Sequence, residues 1–153
     1  MIRLSKLADY GTVAMRYMAL NPKELHTAPE IAAAIRLAVP TVSKLLKIMG
    51  RKGLVVSQRG SKGGYRLAHR PDRITVAQVV EAVDGPFIVT ECTDASCRCV
   101  LEPDCPIQWN WRRINRQLRD VLDWVTVADL TRRNADPRAN RSPERTWETQ
   151  RIR

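Results

Sequence analysis

Several features are absent from this sequence of 153 residues, and each absence excludes a class of protein. No apolar run approaches the ~20 residues that a membrane-spanning helix needs, so we expect no membrane segment. The first residues, MIRLSKLADYG, carry charged side chains and lack the apolar core of a signal peptide, which predicts a cytoplasmic protein. The sequence has no His–carboxylate pair and no nucleophile motif typical of an enzyme, so we expect no catalytic activity.

The charge is distributed unevenly along the chain. In total 26 Lys and Arg residues stand against 16 Asp and Glu residues, a net charge of +10. Residues 1–70 hold 13 of these cations and only 3 acids, whereas residues 71–131 hold 6 cations and 10 acids. Because a protein that needs only solubility mixes its charges, this asymmetry favours a polyanionic partner for the N-terminal half. A solvated basic surface is the alternative.

Three helices are predicted in the N-terminal half, over about residues 2–20, 29–35 and 40–51. The first has apolar and small residues three or four apart, which is helical spacing. The second follows a capping box, with Thr27 as the N-cap and Glu30 at the third helical position. The third has apolar residues that we expect to point inward: Val42, Leu45, Leu46, Ile48 and Met49. Two short helices joined by a tight turn have the proportions of a helix-turn-helix.

A β-hairpin is predicted directly after these helices. Residues 54–56 and 65–67 are short β-type runs on either side of a Gly-rich tip, SQRGSKGG. Glycines let the backbone of the tip approach phosphates, and Arg59 and Lys62 supply positive charge there. Arginine also suits a narrow minor groove. We therefore expect a winged helix-turn-helix DNA-binding domain at residues 1–70, in a fold that is mainly α with a small β-hairpin wing.

A long helix is predicted from about residue 106 within the segment 105–132. Its apolar residues are spaced alternately four and three apart: Ile107, Trp111, Ile114, Leu118, Val121 and Val125. This spacing is typical of helices that pair along their length, so we expect a dimerisation helix, with packing on its own domain as the alternative. Residues 71–104 are predicted to form a short helix, capped by Thr75, and a cysteine-rich loop. Residues 133–153 are predicted to be a disordered basic tail.

The four cysteines all lie within fourteen residues: Cys92, Cys97, Cys99 and Cys105. In a reducing cytoplasm such a cluster indicates a metal or a redox role rather than disulfides. The spacing does not contain two C-x2-C pairs, so it fits a zinc ribbon poorly, and several thiolates on one loop suit an iron–sulfur cluster. Zinc and a metal-free thiol switch remain alternatives. The two histidines, His26 and His69, are expected at the surface rather than as ligands.

Four stretches of the chain resemble a known family: RLSKLADYG, QRGSKGGYRL, TVAQVVEAVDGP and CTDASCRCVLEPDCPIQWNWRRIN. Over about residues 1–131 the chain resembles the IscR/NsrR family of bacterial iron–sulfur transcription regulators, and within it the SufR-like regulators of iron–sulfur cluster assembly genes. The resemblance implies a homodimer that binds double-stranded DNA at a near-palindromic operator. It also implies one iron–sulfur cluster per subunit, 2Fe–2S or 4Fe–4S, which senses iron–sulfur status, oxidants or nitric oxide.

The resemblance also implies roles for individual residues. The three ligand cysteines would be Cys92, Cys99 and Cys105. Cys97 would be an additional thiol that could replace Cys99. Where IscR-like proteins have a histidine ligand this chain has Gln108, whereas Asp9 aligns with the aspartate that NsrR-like proteins contribute from the partner subunit. The DNA-contacting residues would be Thr41, Ser43, Lys44 and Lys47 in the major groove and Arg59 and Lys62 in the wing.

Overall fold

The structure, a computed structural model, describes residues 3–60, 62–94, 99 and 104–132, which contain six α-helices, two one-turn 3-10 helices and one two-stranded hairpin. In chain order the α-helices and strands are α1 (Lys6–Leu20), α2 (Ala28–Ile35), α3 (Val39–Arg51), β1 (Val55–Gln58), β2 (Gly64–Leu67), α4 (Val76–Asp84), α5 (Gln108–Trp124) and α6 (Val127–Thr131). The predicted fold class, mainly helical with a small hairpin wing, is confirmed. The basic tail at residues 133–153 lies outside the described residues.

Helix α1 begins at Lys6, four residues later than the spacing predicted. Ser5 is its N-cap, and the Ser5 hydroxyl oxygen accepts a hydrogen bond from the amide of Ala8 at 3.0 Å. The Ser5 amide and hydroxyl in turn donate to the carboxylate of Asp84, at 3.1 and 2.5 Å. A serine with these partners ends the extended chain and begins the helix, and it ties the start of α1 to the end of α4.

Helices α2 and α3 form the predicted helix-turn-helix. The capping box is confirmed, since Thr27 Oγ1 accepts from the Glu30 amide and Glu30 Oε2 accepts from the Thr27 amide, both at 3.2 Å. The turn after α2 depends on Arg36, which adopts the left-handed conformation at φ 55° and ψ 43°. This conformation is uncommon for a residue with a side chain, and it reverses the chain so that α3 can start at Val39.

The hairpin is antiparallel, with four residue pairs: Val55 with Leu67, Val56 with Arg66, Ser57 with Tyr65, and Gln58 with Gly64. Strand β2 also pairs with the connection between α1 and α2. The amide of His26 donates to the carbonyl of Tyr65, and the amide of Tyr65 donates to the carbonyl of His26, both at 2.8 Å. The wing is therefore attached to the helix-turn-helix by backbone hydrogen bonds outside its own ladder.

His26 is buried, with 2% of its surface exposed, and the prediction of a surface position for it was wrong. Its ring Nδ1 lies 3.0 Å from Glu30 Oε1, and its Nε2 lies 3.2 Å from the Asn21 carbonyl oxygen. Because both ring nitrogens have partners, the imidazole can be buried without loss of its hydrogen bonds. His69 is exposed, as expected.

The core forms where the first four helices meet the hairpin. Its largest fully buried apolar side chains include Met15, Met18, Ile31, Leu45, Leu46, Met49 and Val79. Helix α1 lies close to α3 and α4 at Gly11, where a Cβ would lie 3.0 Å from Met49 Cε and 3.5 Å from Val83 Cγ2. Ile48, predicted to point inward, is only half-buried.

The segment 105–132 differs from the prediction because it contains two helices. Helix α5 ends at Trp124, Val125 is extended, and Thr126 starts α6 through a capping box with Asp129. A Thr-x-x-Asp sequence can cap a new helix in this way, and the spacing analysis did not use that signal. Helix α6 packs on α1, where Arg16 Nε donates to the Leu130 carbonyl at 2.7 Å. No helix in the described ranges is long and apolar enough to cross a membrane.

Candidate nucleic-acid interface and cysteine segment

Helix α3 presents the residues that were predicted to contact DNA. Its apolar residues Val42, Leu45, Leu46 and Met49 are buried, which fixes the orientation of the helix. Lys44 and Lys47 are exposed on the opposite side, and Thr41 and Ser43 are half-buried on the flanks. The N-cap is Ala38, whose methyl group cannot cap, so Thr41 and Ser43 are not used for that purpose. This side of α3 offers two cations and two hydroxyls to a ligand.

The tip of the wing presents Arg59 and Lys62, both exposed. The tip is tight, because a Cβ at Gly63 would overlap the Gln58 carbonyl oxygen and lie 2.9 Å from that of Gly60. Gly60 itself has a φ of 122°, which favours glycine. Two glycines therefore hold the loop in a narrow turn between the two cations, while Ser61 lies outside the described residues.

A hydrogen-bonded group joins α1, α2 and the connection between them. Glu30 Oε1 accepts from the Tyr17 hydroxyl at 3.0 Å and lies beside the ring of His26. The hydrogen bond with His26, followed by those of Thr27 and Tyr17, holds the pKa of Glu30 below its usual value. The same carboxylate raises the pKa of Tyr17. These contacts fix α2 relative to α1 and hold His26, whose backbone pairs with Tyr65 of the wing.

Cys92 is buried, in a short 3-10 turn at Glu91–Thr93. The Thr90 hydroxyl lies 3.2 Å from its sulfur. Cys99 and Cys105 are half-buried, and none of these three cysteines forms a disulfide bond within the described residues. Cys97 lies outside the described residues.

The predicted metal ligands are not gathered in the described residues. Among all the residues that the structure describes, no three His, Cys, Asp or Glu side chains lie close enough together to hold a metal ion. Asp9 is exposed on α1, where a second subunit could reach it. The chemistry of the donor set still fits an iron–sulfur cluster, because iron in such clusters is held by thiolates.

Helix α5 holds the cysteine segment through polar side chains that the sequence analysis did not single out. The Asn115 side-chain amide donates to the Phe87 carbonyl at 2.9 Å and accepts from the Val89 amide at 3.0 Å. Arg112 Nε donates to the Cys92 carbonyl at 3.3 Å. The three- and four-residue spacing of these polar residues was visible in the sequence, but their partners were not.

Arg119 joins α5 to α4. Its Nε and one terminal nitrogen donate to the two carboxylate oxygens of Glu81, at 2.6 and 3.2 Å. The other terminal nitrogen donates to Asp123 at 3.0 Å, and Asp123 accepts from the Thr75 hydroxyl at 2.9 Å. The hydrogen bonds from Arg119 to Glu81, together with the negative charge of Glu81, raise the pKa of Arg119 further. A two-pronged Arg–carboxylate pair fixes both distance and orientation.

The predicted apolar stripe of α5 is exposed in the single chain. Ile107, Ile114 and Val121 recur every seven residues and are 51%, 40% and 59% exposed. Trp111 and Leu118, on the flank of this stripe, are half-buried. An apolar row at heptad spacing on the solvent side of a helix is the pattern that a second helix covers.

Comparisons with known proteins agree with this geometry. A model of the Rrf2 family, described as an iron-dependent transcriptional regulator, matches residues 4–133. The transcriptional regulator NsrR of Geobacillus kaustophilus is 32% identical over 139 residues, which are 88% of this chain and 95% of that protein.

Two solved structures share the fold. CymR, the global cysteine regulator of B. subtilis, superposes with a TM-score of 0.70 at 29% identity, over 86% of this chain and 97% of that chain. IscR of T. potens gives a TM-score of 0.64 at 25% identity, over 84% and 85% of the two chains.

Proposed function

The chain belongs to the Rrf2 family of transcriptional regulators, and on that premise we propose that it is a cytoplasmic homodimer whose affinity for a near-palindromic operator is controlled by an iron–sulfur cluster. The observation that carries the proposal is a single connected unit. It contains a cationic helix and wing, and a buried cysteine whose backbone carbonyl accepts a hydrogen bond from the long helix α5.

The first step is DNA binding by the winged helix-turn-helix. Helix α3 enters the major groove, where Thr41, Ser43, Lys44 and Lys47 face bases and phosphates. The wing places Arg59 in the minor groove and Lys62 on the backbone. The exposure of both lysines of α3 and of both wing cations supports this arrangement. Contacts of this kind make affinity fall steeply with salt.

The second step is dimerisation through α5. The heptad row of Ile107, Ile114 and Val121 is covered by the same helix of a second copy, which removes an exposed apolar stripe from water. Two copies then present two α3 helices, as a palindromic site requires, with half-sites about one turn of DNA apart.

The third step is control by the cluster. Cys92, Cys99 and Cys105 would hold the iron, Cys97 would be an additional thiol, and Asp9 of the partner subunit would be the fourth ligand. When bound, the cluster would supply a redox- and ligand-sensitive group at these cysteines. This chain then responds by repacking the segment around Cys92 against α5, and the relative placement of the two α3 helices changes. By resemblance, its targets include genes of iron–sulfur cluster assembly.

A second candidate is a regulator of the same architecture that responds through its thiols or holds zinc. Two observations favour it. The described thiols do not form a site of three ligands, and CymR, a global cysteine regulator, has the same fold. In this case oxidation of the cysteine thiols, rather than loss of iron, changes the relative placement of the two α3 helices.

Protein purified without oxygen separates the two candidates. Iron and acid-labile sulfide in equal amounts, with visible absorbance, support the cluster, and zinc or no metal supports the alternative. Replacing Cys92, Cys99 or Cys105 with alanine should abolish the absorbance, whereas Cys97→Ala, the matched control, should keep it. A colourless protein with the same operator affinity before and after chelation would show that the cluster proposal is wrong.

A further inference from the structure

Four polar side chains of α5 lie on one side of the helix, three or four residues apart: Arg112, Asn115, Arg119 and Asp123. We call this set the polar face of α5. Each member holds a different point of the segment 75–92. The pairs follow one another in antiparallel order. Asp123 contacts Thr75, Arg119 contacts Glu81, Asn115 contacts Phe87 and Arg112 contacts Cys92.

None of the described residues of α5 is buried, so this helix is not held in place by a fully buried side chain of its own. The polar contacts therefore fix α5 on its own chain. Asn115 is suited to its place, since its side-chain NH2 donates to the Phe87 carbonyl while its Oδ1 accepts from the Val89 amide. Arg119 grips both oxygens of Glu81. Neither contact survives a displacement of the helix by one turn.

Helix α4, at the other end of these contacts, packs on both α1 and α3. Val79 of α4 is fully buried, and it lies with Val83 and Met49 close to Gly11 of α1. A shift of α4 therefore meets a packed core, which transmits the shift to the DNA-binding helix α3.

We infer that the polar face of α5 couples the Cys92 segment to the DNA-binding domain, with Asn115 positioning the Cys92 segment and Arg119 positioning α4. Movement of the cysteine segment is transmitted through Asn115 to α5 and from α5 through Arg119 to α4. The identity of the signal at Cys92 rests on the proposed function. The coupling itself is the same whether that signal is loss of a cluster or oxidation of a thiol.

Reciprocity makes the coupling measurable from the DNA side, because a site that affects DNA binding must itself be affected by it. The test uses the full-length protein as isolated without oxygen and a duplex of about 30 base pairs, long enough for two half-sites, selected by the wild type from a random library. Hydrogen exchange is followed by mass spectrometry with and without this duplex. In the wild type, DNA should slow exchange at residues 85–94 by about 5-fold, although these residues do not contact it.

Arg119→Met should abolish this slowing at residues 85–94 and leave the protection of α3 and the wing intact. Glu81→Gln, which removes one charge and keeps the fold, should reduce it. Arg113→Met is the matched control, since Arg113 is an exposed arginine of the same helix outside the polar face, and it should behave as the wild type. Asn115→Leu should speed exchange at residues 85–94 even without DNA.

Two results would overturn the inference. One is a wild type in which residues 85–94 exchange at the same rate with and without DNA. The other is an Arg119→Met variant that keeps both the protection of α3 and the full effect at residues 85–94. Iron analysis of the same samples is a separate measurement. Iron-free protein that keeps the exchange effect would refute the cluster and leave the coupling standing.

Discussion

Replacing Gly63 with alanine should weaken DNA binding while the protein stays folded, because this glycine is at the tightest point of the wing. A Cβ there would overlap the Gln58 carbonyl oxygen and lie 2.9 Å from Gly60 O and 3.0 Å from Arg59 C. All three are backbone atoms, so no side chain can move aside. The hairpin has only four residue pairs, and we expect its tip to open.

The magnitude follows from where the tip lies. Overpacking costs about 1–3 kcal/mol in a well-packed interior, but an exposed tip can relax, so the free energy of unfolding should fall by about 1 kcal/mol. The displaced cations of the tip, Arg59 and Lys62, should lose contacts worth about 1–2 kcal/mol, a fall in affinity of roughly 5- to 30-fold. Gly50→Ala is the matched control. Its Cβ would meet Val55 Cγ2 at an ordinary 3.8 Å, and alanine inside a helix should stabilise by about 0.5 kcal/mol.

Urea unfolding followed by circular dichroism gives the stabilities. Fluorescence anisotropy with the selected duplex gives the affinities, and the salt concentration is held fixed because it changes them strongly. If the Gly63→Ala variant bound the duplex with wild-type affinity, the idea that this glycine holds the tip of the wing closed would be refuted. A loss of stability in Gly50→Ala as large as that in Gly63→Ala would show that close backbone contact is not the cause.

Three further predictions concern stability. Leu45→Ala should lower the free energy of unfolding by about 2–5 kcal/mol, since this side chain is fully buried, and a loss below 1 kcal/mol in urea unfolding would contradict that packing. Arg36→Gly should raise the melting temperature, because glycine relieves a left-handed conformation that costs about 1 kcal/mol; a lower melting temperature would argue against strain there. Glu30→Gln should destabilise by about 1 kcal/mol at neutral pH, as the hydrogen bond with His26 loses its charged partner. Since folding lowers the pKa of Glu30, its contribution is present above about pH 4.5 and is lost as the pH falls through the lower folded value, so the stability difference should close in acid.

The DNA-binding domain could be predicted because its signals are local. The capping box of Thr27 and Glu30 lies within four residues, and the Gly-rich tip lies between two short β runs. The burial pattern of α3 followed its spacing, with the exception of Ile48. The N-cap of α1 at Ser5 and the capping box that begins at Thr126 are also local signals, so they could have been predicted from the sequence as well.

The remaining contacts depend on residues far apart in the chain. His26 is buried because the folded α1–α2 connection brings the Asn21 carbonyl and Glu30 to its ring. The partners of Asn115 and the Glu81 partner of Arg119 lie 26 to 38 residues away, so no local pattern indicates them. The cysteine roles stay predictions, since part of that loop lies outside the described residues.

The return of the chain after α5 determines where an attached probe would sit. The Val76 amide donates to the Val125 carbonyl and the Val127 amide donates to the Ile74 carbonyl, both at 2.8 Å, and α6 then runs along α1. Arg132, which caps the end of α6, therefore follows a helix that lies against α1 instead of continuing the axis of α5. A fluorophore placed there would report on the packing of α6 against α1, and a bulky fusion partner at the same point would disturb that packing.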